Sequence, residues 1–411
     1  MGERRALTPP CDLTIPEPGS TTARDILSRA IGRLLGELRP LVRAHASLAP
    51  PSDVETFDRL LVALLRDHVG PLASVLRRPN VGALIRTLRR PSRDEDAELL
   101  SELIGLVGFE LAVHGELPFE LQLWKFPRRI LSIAGRVAVD VPDDIESVVL
   151  TSGTMKTKRR GEVHELDLGA LREGGTAAPG VRRPFTAIDG GTYLALEDNN
   201  PLALDEAHPD KSGNAVDLGQ AHVSTWVEAL RAAFELVAKY LPELRREMEV
   251  YLAQVIPVGT LSEKHLSASY REAIGTIYMT LHPQRMTMTE ALIHEFQHNK
   301  LNALFELDDV LDNAYAPLYA SPVRPDPRPL AGVLLAVHAF LPVARLYERM
   351  IAGGDPDAAG ASFRGRFAQV VAINREGTRV LDDHAQPTAV GAALLDEMRH
   401  LDDHFRALIP C

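Results

Sequence analysis

The chain has 411 residues, 45% of them hydrophobic and 25% charged, with a formal net charge of −11. That length allows one large domain or two, each with an ample core, and the balance is that of a globular protein rather than a disordered or fibrous one. The acidic surface argues against nucleic acid and anionic membrane as partners and suits a neutral or locally basic one, such as a peptide.

Residues 1–19 hold four prolines and no apolar signal-like core, so they read as a flexible arm without a secretory signal. No uncharged apolar run approaches the ~18 residues of a membrane span, and a cytoplasmic protein is expected. Cys11 and Cys411 form no Cys-x-x-Cys pair, which removes a thiolate zinc site and leaves two thiols rather than a disulfide as the expectation. After Thr21-Thr22 the spacing predicts a helix with Leu27, Ile31, Leu34, Leu35 and Leu38 on one stripe, ended or kinked by Pro40. Asp53 to His68 repeats the pattern, and 94–115 is a third helix. Residues 1–125 therefore form a helical N-terminal region, structural or peptide-binding. The arginine run from Arg86 to Arg93 reads as an exposed helix end.

Residues 126–411 form the second unit. Segments 131–141, 146–151, 162–168 and 184–196 read as strands with Gly and Asp turns, and 197–217 as a long surface loop. A helix at about 220–240 precedes strand-like segments 249–258 and 274–281. A helix at 289–306 is followed by a Pro-rich connector from Pro317 to Pro329, which cannot be helical because its prolines remove amide donors. Helices at 331–352, 359–375 and 389–408 close the chain.

His294-Glu295-Phe296-Gln297-His298 carries the chemistry. Histidines at i and i+4 share a helical face, about 5–6 Å apart at Cβ, a separation that suits two imidazoles on one divalent ion. A catalytic centre needs a third protein ligand. Leu301 and Leu304 stand where a metzincin needs Gly and His. His338, on an otherwise apolar helix, is the first candidate, with Glu348, Glu306, Asp308 and Asp309 as alternatives. The pair His400 and His404, beside Asp402 and Asp403, reads as a solvated helix face.

Two chemistries remain open. With zinc, Glu295 acts as general base in amide hydrolysis. With Fe(II), open positions take a co-substrate and dioxygen. An oxygenase using 2-oxoglutarate needs a cation for the distal carboxylate, and Arg324 and Arg328 in SPVRPDPRPL are placed for it. The run ALIHEFQHNKL, the segment Tyr319 to Leu330 and the following GVLLAVHAF resemble the HExxH-type peptide β-hydroxylases, putative peptide-modification proteins of ribosomal peptide natural-product clusters. Residues 269–281 and LALEDNNPLAL also fit, so the resemblance covers roughly 184–350. It implies iron held by His294 and His298 with His338 completing the set, 2-oxoglutarate as co-substrate, a precursor peptide as substrate, and no base role for Glu295. The expected fold is α+β, mostly helical: a zincin-like catalytic core with the HExxH helix beside a small sheet, plus the helical N-terminal region. The alternative is a zinc metallopeptidase.

Overall fold

A computed structural model describes residues 11–90, 94–175, 178–204, 207–208, 211–321, 323 and 326–409. Helix accounts for 53% and strand for 16%, the strands divided among several small sheets, so the class is α+β and mostly helical.

The N-terminal helices are Thr22–Ala44, Pro51–Asp67, Val69–Leu76, Pro79–Leu88 and Asp96–His114. The first buries Ile26, Leu27, Ala30, Leu34, Leu38 and Val42 at helical spacing and continues through Pro40 to Ala44. Pro40 removes one amide, but the carbonyl it frees belongs to an exposed residue, Gly36, and the helix persists. Asp96–His114 is buried almost all round and stops at Gly115, whose φ of 74° admits the left-handed cap. One apolar cluster runs from Leu34 across residue 125 to Leu171, joining these helices to an antiparallel sheet. That sheet contains Leu121–Leu123, Ile145–Thr151, Thr154–Arg159 and Glu162–Asp167. The expected strand 131–141 is a hairpin, Arg129–Ser132 against Val137–Asp140.

A second cluster holds the start of the first helix, the helices after residue 220 and one face of a five-stranded mixed sheet. Its order is Ser267–Ala268, Thr276–Leu281, Gln254–Thr260, Thr192–Ala195 and Phe185–Asp189. The three inner strands are mutually parallel and the two edge strands antiparallel to them. Every residue of Thr276–Leu281 is buried, Thr276 and Thr280 included, and both threonine hydroxyls are hydrogen-bonded. Residues 249–251, expected in a strand, instead end the helix Pro242–Tyr251.

The motif helix spans Arg285–Phe305 and packs on this sheet, with Leu292 and Phe296 in the same cluster as Ile277 and Met279. The helices Val223–Tyr240 and Leu330–Ala352 pack against it, and Ala361–His384 and Ala389–Ala407 pack on Leu330–Ala352. Leu330–Ala352 is long and apolar enough to cross a membrane, yet 78% of its most apolar window is buried inside the fold, as in a core helix.

Two sequence expectations are corrected. Residues 11–20 form an ordered strap rather than a flexible arm: Leu13 and Thr14 are wholly buried. Glu397 accepts the backbone N–H groups of Leu13, Thr14 and Ile15, and Gln297 Nε2 donates to the Thr14 carbonyl at 2.7 Å. Of the arginine run, Arg86 and Arg89 are not exposed, Arg90 is, and Arg93 lies outside the described residues. Arg86 is buried and donates to the Glu272 carbonyl, while Arg86 and Arg89 converge on Glu306 at the C-cap of the motif helix. Cys11 is a free, exposed thiol, and Cys411 lies outside the described residues.

Candidate metal centre

His294, Glu295 and His298 occupy the middle of the motif helix. Helical geometry brings their ligand atoms within 4.8 Å of one another, the one such group among the described residues. The two imidazoles meet edge to face, centroids 4.4 Å apart at 79°. Phe340 of the Leu330–Ala352 helix lies against the His294 ring at 4.7 Å.

The helix is registered to the sheet edge by polar contacts. Ser267 Oγ donates to Glu295 Oε1 at 2.7 Å, and Ser269 Oγ donates to the Glu295 carbonyl. Asn299, fully buried, accepts the Gly275 N–H at 2.6 Å and donates to the carbonyls of Glu295 and Thr276. Sliding the helix by one residue would leave these buried groups unpaired, at a cost of about 1–3 kcal/mol each.

Burial, then the neighbouring His298 and Arg366, hold His294 down at about 3. Burial holds His298 at about 4. Both rings are therefore neutral at neutral pH, the form that binds a metal. Nδ1 of each is buried without a hydrogen bond. Two neutral imidazoles and a carboxylate, with buried nitrogens unsatisfied, fit a divalent zinc or iron ion.

His338 lies outside the 4.8 Å group. It is wholly buried, and the Leu13 backbone is a hydrogen-bond partner of its ring. Burial, Lys300 and His298 hold it well below the usual histidine range, with the Leu13 backbone opposing them. Its carbonyl accepts Gln297 Nε2 at 3.2 Å, the nitrogen that also holds the strap.

Other candidate ligands are engaged elsewhere. Glu348 pairs with Arg345 at 2.6 Å and His404 at 2.8 Å, which gives one member of the His400 and His404 pair a partner. Glu306 takes Arg86 and Arg89, and Asp308 accepts Val310 N–H and Thr388 Oγ. Asp309 is exposed. Arg324 lies outside the described residues. Arg328 pairs within the connector with Asp326 at 2.9 Å, in the short strand Arg328–Pro329.

Sequence reasoning missed Ser267, Asn299, Phe340 and a cluster of Glu290, Tyr347 and Arg366. Only Glu290 carried a signal, because 290, 294 and 298 repeat every four residues along one face. No known protein-family model matches the chain. A search of curated proteins found no similar one.

Proposed function

We propose that the chain is an Fe(II)- and 2-oxoglutarate-dependent hydroxylase that acts on the β-carbon of a side chain in a ribosomally made precursor peptide. The observation that carries this reading is the pair of neutral imidazoles on one helix face, with Glu295 Oε1 held by Ser267. His294 and His298 would hold the iron. His338 is the proposed third ligand, supported by its neutrality, its burial and its electrostatic proximity to His298. Iron with 2-oxoglutarate and dioxygen supplies the oxidising power that turns a C–H bond into C–OH.

A zincin-like core is part of the proposal. It is supported by a motif helix on a mixed sheet whose antiparallel edge strand contacts Glu295. Glu295 is 2% exposed and its Oε1 is taken by Ser267, which suits an orienting carboxylate better than a base that must reach water. The likeness of ALIHEFQHNKL and GVLLAVHAF to peptide β-hydroxylases points the same way. One observation favours the zinc peptidase instead: the Glu295 carboxylate falls within 4.8 Å of both imidazole ligand atoms.

The deciding experiment is anaerobic purification followed by addition of Fe(II) and 2-oxoglutarate. The visible charge-transfer absorption of a chelated complex is the expected result. Zinc-dependent peptide cleavage with no such absorption would replace this reading with the peptidase.

A further inference from the structure

Three helices meet on the His294 side of the centre. Glu290 precedes His294 by one helical turn, and its carboxylate is partly buried. Tyr347, from the Leu330–Ala352 helix, donates its hydroxyl to Glu290 Oε1 at 2.5 Å. Arg366, from the Ala361–His384 helix, reaches the same carboxylate through Nη2 at 2.7 Å and through Nε at 3.2 and 3.3 Å. Phe340, which touches the His294 ring, lies seven residues before Tyr347, so both project from one face of their helix. Arg366 acts on the His294 ring as a neighbouring positive charge. Its side chain is 35% exposed, so solvent and solutes reach it.

A guanidinium fork and a tyrosine hydroxyl thus converge on a carboxylate beside the candidate centre. That carboxylate belongs to the protein. An incoming anion would find the same two donors, but it would have to displace Glu290, because one guanidinium cannot neutralise two carboxylates in a partly buried site. In the connector Arg328 pairs with Asp326, and Arg324 lies outside the described residues.

We propose that Arg366 and Tyr347 receive the distal carboxylate of a small dicarboxylate co-substrate bound at the His294 and His298 centre, with Glu290 holding their place until that ligand arrives. The inference rests on the 2-oxoglutarate reading and assigns the anion subsite to the Ala361–His384 helix instead of the connector.

Competition gives the idea a distinctive sign. Removing the charge of Glu290 should strengthen ligand binding, whereas loss of a purely structural clamp would weaken it. The test is anaerobic calorimetric titration of 2-oxoglutarate into the full chain loaded with Fe(II), for the parent, Arg366→Lys, Arg366→Met, Glu290→Gln and Arg328→Ala. Circular dichroism and iron content check each fold. The expected result is a Kd raised roughly tenfold or more by both Arg366 variants, lowered several-fold by Glu290→Gln and unchanged by Arg328→Ala. Parent-like affinity in both Arg366 variants overturns the subsite, and weaker binding by Glu290→Gln overturns the place-holder. An iron-loaded parent that binds no 2-oxoglutarate overturns the functional reading and this inference together. If an Arg366 variant fails to fold, the sign of the Glu290→Gln effect decides.

Discussion

Replacing Glu397 with glutamine isolates the carboxylate that holds the N-terminal strap. Its two oxygens accept three consecutive backbone N–H groups, from Leu13 at 3.0 Å, Thr14 at 2.8 Å and Ile15 at 3.2 Å. Burial pushes this carboxyl up to about 7 from an ordinary 4.5, against the pull of those N–H groups and of Lys300. The raised value fixes the sign. Below pH 4.5 the strapped and released forms are both protonated, and the contribution to strap stability is complete. Between pH 4.5 and 7 the released form ionises first, so strap stability falls as pH rises, and it levels off above 7. At ~1.4 kcal/mol per pH decade the loss is at most about 3 kcal/mol, enough to raise transient release of the strap by roughly two orders of magnitude. Glutamine keeps an acceptor oxygen but does not titrate, so its stability offset should not vary with pH. Hydrogen exchange on peptides spanning residues 11–20, corrected for intrinsic rates, reads this opening directly. Protection in the parent should fall relative to Glu397→Gln between pH 5 and 7.5. A constant difference, or a parent that gains on the variant as pH rises, would refute the reasoning.

The buried ion pair of Lys300 and Glu247, 2.6 Å apart with Lys300 fully buried, makes a second prediction. Lys300→Met strands a carboxylate in the interior and should cost about 3–5 kcal/mol, whereas adding Glu247→Leu should recover most of that loss. Thermal unfolding of the single and double variants checks this, and equal losses in both would mean the pair is not the cause. For Glu295→Gln we expect retained iron and measurable turnover of 2-oxoglutarate to succinate, because the amide oxygen can still accept Ser267 Oγ. A drop of several orders of magnitude with iron still bound would assign Glu295 to proton transfer from water.

The motif helix was legible because two ligands on one helix face need only a four-residue spacing. Thr276–Leu281 was legible because its Thr, Ile and Tyr residues favour a strand. What escaped depends on tertiary contact. Nothing local in Arg366 marks it as the partner of Glu290, 76 residues away. Pro9, Pro10, Pro16 and Pro18 suggested a free arm, but the strap needs no periodicity, since side chains of distant helices satisfy its backbone. Arg86 and Arg89 looked solvated because charge runs usually are, and only the folded chain places Glu306 against them. Pro40 was read as a breaker because its neighbours gave no sign that the freed carbonyl would belong to an exposed residue.

The strap also sets an order of events during synthesis. Leu13 and Glu397 are separated by 384 residues, so their contact cannot form until the helix Ala389–Ala407 has left the ribosome. At about 5–20 residues per second that is a wait of roughly 20–80 s. Throughout it the N–H groups of Leu13, Thr14 and Ile15 lack their carboxylate. Trimming residues 389–409 would uncover a segment made at the other end of the chain.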